Sequence, residues 1–142
     1  MTIATILSSK GHDVHCLLAG KTLGEAAACL SDNGIGAAPV VDGDGHILGI
    51  ISERDLTRAL ARAGASALTC AVEEVMTSPA VTVSESTGVL SALALMSKRR
   101  IRHLPVVESG EIRGIVSIGD LVKYRIERIE AEAAAMRDYI QQ

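Results

Sequence analysis

Apolar residues with helical spacing occur in two matching sets along the chain, 66 positions apart. The first set is Leu23, Ala26, Ala27 and Leu30, and the second is Val89, Ala92, Leu93 and Met96. In both sets the spacing i, i+3, i+4, i+7 places the apolar side chains on one face of a helix. The pattern therefore predicts two helices that each bury one face. A Thr22–Glu25 capping box opens the first helix and Gly34 ends it.

Short apolar runs on either side of each helix predict strands. Residues 38–42 and 46–51 form two runs around a turn rich in Gly and Asp, which predicts a β-hairpin. The segment at about 104–116 repeats this arrangement. Shorter runs at Val14–Leu18 and Ala80–Val83 predict one strand before each helix. Together with a second helix after each hairpin, the order of elements is β-α-β-β-α, twice.

The strand-to-helix junction after each hairpin carries the same polar residues. Gly49-Ile50-Ile51-Ser52-Glu53-Arg54-Asp55 corresponds to Gly114-Ile115-Val116-Ser117-Ile118-Gly119-Asp120. Ser and Asp keep a three-residue spacing in both copies, which is the spacing of a capping box. The helix after Ser52 is expected to bury an apolar face and to end at Gly64. That face consists of Leu56, Ala59, Leu60 and Ala63.

The helix that begins at Ser117 continues to about Tyr139, far beyond its counterpart in the first half. Apolar residues follow each other along it at spacings of 4, 3, 4, 3 and 4, at Val122, Ile126, Ile129, Ala133, Met136 and Ile140. This is a heptad seam. It packs either on its own chain or on a second copy. The second copy is favoured, because the seam extends beyond what the repeat itself needs.

Composition narrows the classes of function. The net charge of −3 gives no general electrostatic attraction to nucleic acid or to an anionic membrane. With two Tyr and no Phe or Trp, the chain lacks aromatic platforms for single-stranded nucleic acid. Its three Cys, at an odd count and without CxxC spacing, favour a reduced, cytoplasmic protein. We see no signal peptide and no run long enough to span a membrane.

Catalytic and metal-binding patterns are weak in this sequence. His12, His15 and Cys16 are too close together for the usual paired-ligand spacing of a metal site. We find no Ser-His-Asp, Cys-His or paired-carboxylate arrangement, and we therefore predict neither an enzyme nor a metal site.

Two interpretations of Ser52 and Asp55 are compatible. In the first, they are only a capping box, which contributes about 1 kcal/mol and needs no ligand. In the second, the helix N-terminus also offers free N–H groups to a phosphate. The Asp55 carboxylate then accepts hydrogen bonds from the paired hydroxyls of a ribose.

The doubled Pro-Val-Val-acid, hairpin and Gly-x-x-Ser-x-x-Asp arrangement resembles a tandem pair of CBS (cystathionine β-synthase) domains. The resemblance covers residues from about 5 to 122, and the ending RHLPVV…GIVSIGDLVK, followed by a long acidic helix, is similar to small stand-alone bacterial CBS-pair proteins. It implies an α/β (α+β) fold of β-α-β-β-α repeats with pseudo-two-fold symmetry, whose three-stranded sheets pack face to face. The expected boundaries are 5–64 and 72–124 for the repeats and 125–142 for a C-terminal helical extension.

The resemblance also implies function. CBS pairs bind adenosine-containing ligands (AMP, ADP, ATP, NAD or S-adenosylmethionine) in two clefts between the repeats, and two modules commonly form a homodimer. Each cleft combines a Ser-x-x-Asp helix start, the strand of the other repeat for the adenine edge, and groups at the other repeat's hairpin for phosphate. The implied binding residues are Ile50, Ser52, Arg54, Asp55, Thr77, Ala80, Val81, Arg102, His103, Ala37, Ser117 and Asp120.

The two implied clefts are unequal. The Asp55 cleft faces Arg102 and His103, whereas the Asp120 cleft faces Gly36 and Ala37, which carry no charge. Lys10 or His15 are the cations that remain for the second cleft, and Gly119 stands where the first has Arg54. We expect Asp55 to mark the stronger nucleotide site. The leading interpretation is a regulatory nucleotide-binding module that acts on an unidentified protein partner. The alternative is a ligand-independent dimeric scaffold.

Overall fold

The computed structural model describes residues 1–141, and Gln142, the last residue of the predicted extension, lies outside them. Six α-helices and five strands follow one another in these residues, with a 3₁₀ turn at Gly64–Thr69: α1 Ile3–Lys10, β1 Leu17–Leu18, α2 Leu23–Asn33, β2 Ala37–Val41, β3 Ile47–Ser52, α3 Glu53–Ala63, α4 Val72–Val75, α5 Val89–Arg99, β4 His103–Glu108, β5 Glu111–Ser117 and α6 Ile118–Gln141. None of these helices is long and apolar enough to cross a membrane.

The sheets confirm the two hairpins and shorten the other two predicted strands. Strand β1 pairs parallel to β2, which pairs antiparallel to β3, and β4 pairs antiparallel to β5. Of the predicted strand at Val14–Leu18, only Leu17 and Leu18 pair with β2. Of Ala80–Val83, only Val83 forms a bridge, parallel to Val106. The second sheet therefore has two regular strands and not the three that the resemblance implies.

The shortening has a common cause, because the chain passes from one repeat to the other just before each of these segments. The His12 ring lies 2.9 Å from the carbonyl oxygen of Arg113 on β5. Thr77 exchanges backbone hydrogen bonds with Ile50 on β3. The residues that follow His12 and Thr77 must cross to the opposite sheet, so few of them can run alongside a strand.

The same crossing exchanges segments between the two cores. Helix α1, which the sequence did not predict, contributes Ile3, Ile6 and Leu7 to the core built by α5, β4 and β5. In return, Ala67 and Val72 pack into the core of α2, β2 and β3. The start of the predicted first repeat, 5–64, thus packs with the second repeat. Neither core is complete without residues from the other half of the chain.

The predicted helix boundaries in the first half are confirmed by cap geometry. The N–H of Glu25 donates to Thr22 Oγ1 at 3.1 Å, and the Glu25 carboxylate accepts from the N–H of Thr22 at 3.3 Å. Gly34 ends α2 in the left-handed conformation, with φ 60°. Gly64 follows the last residue of α3.

Helix α5 ends on a residue that is less suited to its conformation. Arg100 holds φ 56°, where the first half has Gly34. Because a side chain at positive φ costs about 1 kcal/mol, we expect Arg100→Gly to raise the free energy of unfolding by about that amount in urea titrations. Arg99→Gly, at the last residue of the helix, is the control and should lower it, because glycine is the poorer helix former. A destabilised Arg100→Gly variant would contradict this prediction.

Two predicted apolar faces are incompletely covered by the chain itself. On α3, Leu56 and Ala59 are half-buried, but Leu60 and Ala63 are exposed. On α6, Leu121 is fully buried, whereas the large side chains of the heptad seam are between 42% and 75% exposed. The alternative in which the seam packs on its own chain is therefore wrong for the described residues.

Candidate functional site

The Asp55 carboxylate lies at the point where β3, α3 and the segment between the repeats meet. Its Oδ2 accepts from the N–H of Ser52 at 2.9 Å and from the Ser52 hydroxyl at 3.1 Å. Its Oδ1 accepts from the Thr77 hydroxyl at 3.3 Å. Asp55 is only 7% exposed and is the buried charged residue of the described part of the chain. The capping box predicted for Ser52 and Asp55 is present.

Thr77 reaches this position because β3 has a glycine at the crossing point. The N–H of Thr77 donates to the Ile50 carbonyl at 2.9 Å, and the N–H of Ile50 donates to the Thr77 carbonyl at 3.0 Å. A Cβ on Gly49 would lie 2.6 Å from that Thr77 carbonyl oxygen. The structure thus brings four predicted site residues together, at Ile50, Ser52, Asp55 and Thr77.

Ala80 and Val81 continue from Thr77 toward the second core. Both are half-buried, and Val81 packs against that core. Among residues 1–141, their backbone N–H groups donate to no protein acceptor. This stretch therefore offers free main-chain donors beside the Asp55 cluster.

The second Ser-x-x-Asp copy has a different neighbour. The N–H of Ser117 donates to Asp120 Oδ2 at 2.8 Å, as in the first copy. Lys10 Nζ also donates to Asp120 Oδ2 at 2.7 Å, and to the Ile115 carbonyl at 2.7 Å. Burial alone raises the pKa of Asp120, but the hydrogen bonds from Lys10 and Ser117 outweigh it and hold the pKa below its usual range. Of the two cations predicted for this cleft, Lys10 is the one in contact, and His15 is exposed.

The starts of β2 and β4 meet between the two copies. Ala37 pairs in register with Ser52, and His103 pairs with Ser117. A Cβ on Gly36 would lie 3.1 Å from His103 Cε1, so the two strand starts are in contact. His103 therefore lies at the junction of the two clefts and not in the Asp55 cleft alone. Its pairing in register with Ser117 on β5 brings His103 beside the second Ser-x-x-Asp copy.

The charge of His103 depends on this position. Burial lowers the pKa of the ring, and the nearby Lys10 lowers it further, while Asp120 and Glu53 act in the opposite direction. The net pKa lies below the usual value, so the imidazole is mainly neutral at pH 7. His103 offers a hydrogen-bonding ring there and not a second fixed charge.

Arg54 and Arg102 are the two arginines predicted to bind phosphate in the Asp55 cleft. Arg54 Nη1 donates to the carbonyl oxygen of Arg100 at 3.1 Å, so its side chain spans from α3 to the end of α5. Arg102 is exposed, and its carbonyl accepts from the N–H of Ile118 at 2.8 Å. Within residues 1–141 the Arg102 guanidinium has no ion pair.

The hairpin turn between β2 and β3 holds a group that the sequence analysis did not consider. Asp42, Asp44 and His46 bring possible metal ligands within 4.8 Å of one another. Asp42 Oδ1 already accepts from the N–H groups of Asp44 and His46, both at 2.9 Å. These bonds explain the cluster as a turn stabilised by its first aspartate.

Two intertwined halves, each with a hairpin that ends in a Ser-x-x-Asp helix start, define a paired-repeat module with two related candidate sites. The chain belongs to the CBS domain family, whose model matches residues 7–62 and 72–127. The match confirms the predicted family and the predicted fold class. Paired CBS domains are regulatory ligand-binding modules.

Solved structures and curated relatives agree with this assignment. A CBS-domain protein from Agrobacterium tumefaciens, ATU1752, is 40% identical with a TM-score of 0.86, and the match covers 88% of this chain and 99% of that one. The CBS pair of protein MJ0100, in complex with 5′-methylthioadenosine and S-adenosyl-L-methionine, is 28% identical with a TM-score of 0.81, covering 90% and 98%. An uncharacterised 33.4 kDa protein of Thermofilum pendens is 40% identical over 72% of this chain, which spans 33% of that relative's length.

Proposed function

We propose that this chain is a regulatory module that binds an adenine nucleotide, mainly in the Asp55 cleft, and that it has no catalytic activity of its own. The observation that carries the proposal is the Asp55 carboxylate held against Ser52 and Thr77. AMP, ADP, ATP and NAD share the adenosine unit that this arrangement suits.

The hydrogen bonds around Asp55 explain why a ribose fits. Both carboxylate oxygens accept from hydroxyl groups of the protein, at 3.1 Å from Ser52 and 3.3 Å from Thr77. A ribose presents two adjacent hydroxyls with the same donor chemistry, and these can replace the longer Thr77 contact. The capping and ligand-binding interpretations remain compatible, because the N–H of Ser52 keeps its own bond to Oδ2.

Further groups suit the rest of a nucleotide. The unpaired main-chain N–H groups of Ala80 and Val81 match the acceptor nitrogens of an adenine edge. Arg54 and Arg102 supply permanent charge for phosphate oxygens, and the neutral His103 ring adds a hydrogen-bonding group. The adenosine ligands of the MJ0100 pair support the same class of ligand here.

The test is calorimetry of AMP, ATP, NAD and 5′-methylthioadenosine with the wild type and with Asp55→Asn. We expect the variant to bind at least tenfold more weakly, since a charged acceptor contributes about 1.5–3 kcal/mol to a hydrogen bond. Glu25→Gln is the matched control, because Glu25 occupies the same capping-box position on α2. Absence of binding by the wild type near millimolar concentration would exclude the proposal.

A ligand-independent dimeric scaffold is the second candidate, and the exposed seam on α6 favours it. In that case Asp55→Asn lowers the free energy of unfolding through its cap but changes no ligand response. Urea unfolding of Asp55→Asn, added to the calorimetry above, separates the two candidates, because unfolding and binding are then measured on the same variant.

We infer that the seam pairs with a second copy of this chain. With Ile126 and Ala133 at a, and Ile129 and Met136 at d, the charged g positions are Arg125 and Glu132, and the charged e positions include Glu130 and Arg137. In a parallel pair, Arg125 at g faces the partner's Glu130 at e. Likewise, Glu132 faces the partner's Arg137. Both contacts join opposite charges, so the helix is complementary to itself in the parallel orientation.

The remaining expectations are proposals of the same kind. We place the protein in the cytoplasm, on the ground that Cys16, Cys29 and Cys70 are all free thiols. The boundaries 5–64, 72–124 and 125–142 are our proposed limits of the sequence repeats and the extension.

A further inference from the structure

We propose that the Lys10 ammonium is a built-in occupant of the Asp120 cleft, which it closes to nucleosides, so that the chain binds one nucleotide and not two. The inference rests on the proposed function of the Asp55 cleft. It explains the inequality of the clefts by the Asp120 carboxylate, which already accepts from Lys10. The sequence indicated only that the second cleft lacks charged groups for phosphate.

The contacts of the two clefts correspond one to one. In the first, Thr77 donates to the Ile50 carbonyl through its N–H and to Asp55 through its hydroxyl. In the second, the corresponding acceptors are the Ile115 carbonyl and Asp120, and Lys10 Nζ donates to both, each at 2.7 Å. One charged group thus replaces two neutral donors, with shorter contacts.

The backbone next to Lys10 keeps it in place. Lys10 is the last residue of α1, whose Ile3 and Leu7 side chains are fully buried in the second core. Two residues later, the His12 ring contacts the Arg113 carbonyl on β5. Lys10 is therefore held between two fixed points over the cleft. Its side chain is 35% exposed, and that of Asp120 is 27% exposed.

The ion pair changes what Asp120 can accept. Asp120 Oδ2 is shared by Lys10 and the N–H of Ser117. A ribose diol that is to bind both oxygens must displace the ammonium from a charged partner. Loss of such a charge-assisted bond corresponds to roughly tenfold to a hundredfold in affinity. At concentrations that fill the Asp55 cleft, the Asp120 cleft should therefore stay closed.

The experiment counts AMP molecules bound per chain, by calorimetry and native mass spectrometry of the full chain. We expect one for the wild type and two for Lys10→Met, which keeps the apolar stem and removes the charge. Lys21→Met is the matched control, because Lys21 also pairs with a carboxylate, that of Glu25, but lies outside both clefts. This control should bind one.

The outcomes separate the two proposals. Two AMP per wild-type chain, or one per Lys10→Met chain, would overturn the role of Lys10 and leave the proposed function standing. No binding to the wild type would overturn both. Asp55→Asn gives a test that does not depend on folding of the lysine variant. With Lys10 in place, neither cleft of Asp55→Asn should bind AMP with wild-type affinity, and one AMP bound per chain with unchanged affinity would contradict the inference.

Discussion

Gly49→Ala is expected to lower the free energy of unfolding by about 3 kcal/mol. A Cβ at this position would lie 2.6 Å from the Thr77 carbonyl oxygen and 2.7 Å from Met76 Sδ. The Thr77 carbonyl cannot move away from the added methyl group by itself, because it accepts a hydrogen bond from the N–H of Ile50 at 3.0 Å. The added methyl group must separate β3 from the segment between the repeats, and with it Thr77 from Asp55. Urea unfolding and AMP calorimetry on the same variant measure both effects.

Gly114→Ala is the matched control, since Gly114 is the counterpart of Gly49 in the second half. The three atoms nearest to its Cβ would all belong to the Leu7 side chain, with Cδ2 at 2.7 Å. A side-chain end can rotate away, so we expect a smaller loss, about 1 kcal/mol. Equal losses for the two variants would contradict the view that a backbone crossing is the tight contact in the first half.

The elements that the sequence predicted correctly are those determined by neighbouring residues. Thr22 and Glu25 form their capping box within one helical turn, as do Ser52 and Asp55. Periodicity likewise predicted the length of α6, whose apolar positions follow each other at fixed spacing. Such features depend on local geometry, which one stretch of sequence contains in full.

The exchange of segments between the cores could not be predicted in this way. Helix α1 has its counterpart in the segment before α5, but Lys10 and Thr77 have no chemical likeness that would align them. They are equivalent only in the acceptors they bind. The Ile50 carbonyl, which accepts from Thr77, corresponds to the Ile115 carbonyl, which accepts from Lys10. The sequence offered Lys10 and His15 alike as cations for that cleft, and nothing near Lys10 indicates a direct bond to Asp120, 110 positions away.

The sequence predicted which residues of the candidate site lie together, but not the cleft to which each of them belongs. Ser52, Asp55 and Thr77 lie together as expected, although the hydrogen bond from the Thr77 hydroxyl to Asp55 was not foreseen. His103 was assigned to the Asp55 cleft from its place before the hairpin. Its register opposite Ser117 and its contact with Gly36 instead place it between the clefts. Such a position depends on how two sheets meet.

Replacing both central seam residues, Ile126→Glu with Ile129→Glu, is expected to weaken the proposed homodimer about a thousandfold. Their side chains are 51% and 48% exposed in the single chain. Full burial of one such side chain contributes about 1.5–3 kcal/mol, and two are replaced on each helix. Because about half of each side chain is already covered in the single chain, we expect the free energy of dissociation to fall by about 4 kcal/mol. Sedimentation equilibrium across a range of concentrations measures the change. Ala131→Glu, on the opposite face of α6, is the control and should leave the dimer intact.

The orientation of the pair can be tested separately by exchanging charges. Arg125→Glu should weaken a parallel dimer, because the new carboxylate faces the partner's Glu130. Adding Glu130→Arg to the same chain restores opposite charges in the parallel register, and the dimer should recover. An antiparallel pair brings g positions against g and e against e, so the second change would not compensate for the first. A monomeric wild type would overturn the homodimer itself, and a double variant as weak as Arg125→Glu alone would overturn its parallel orientation.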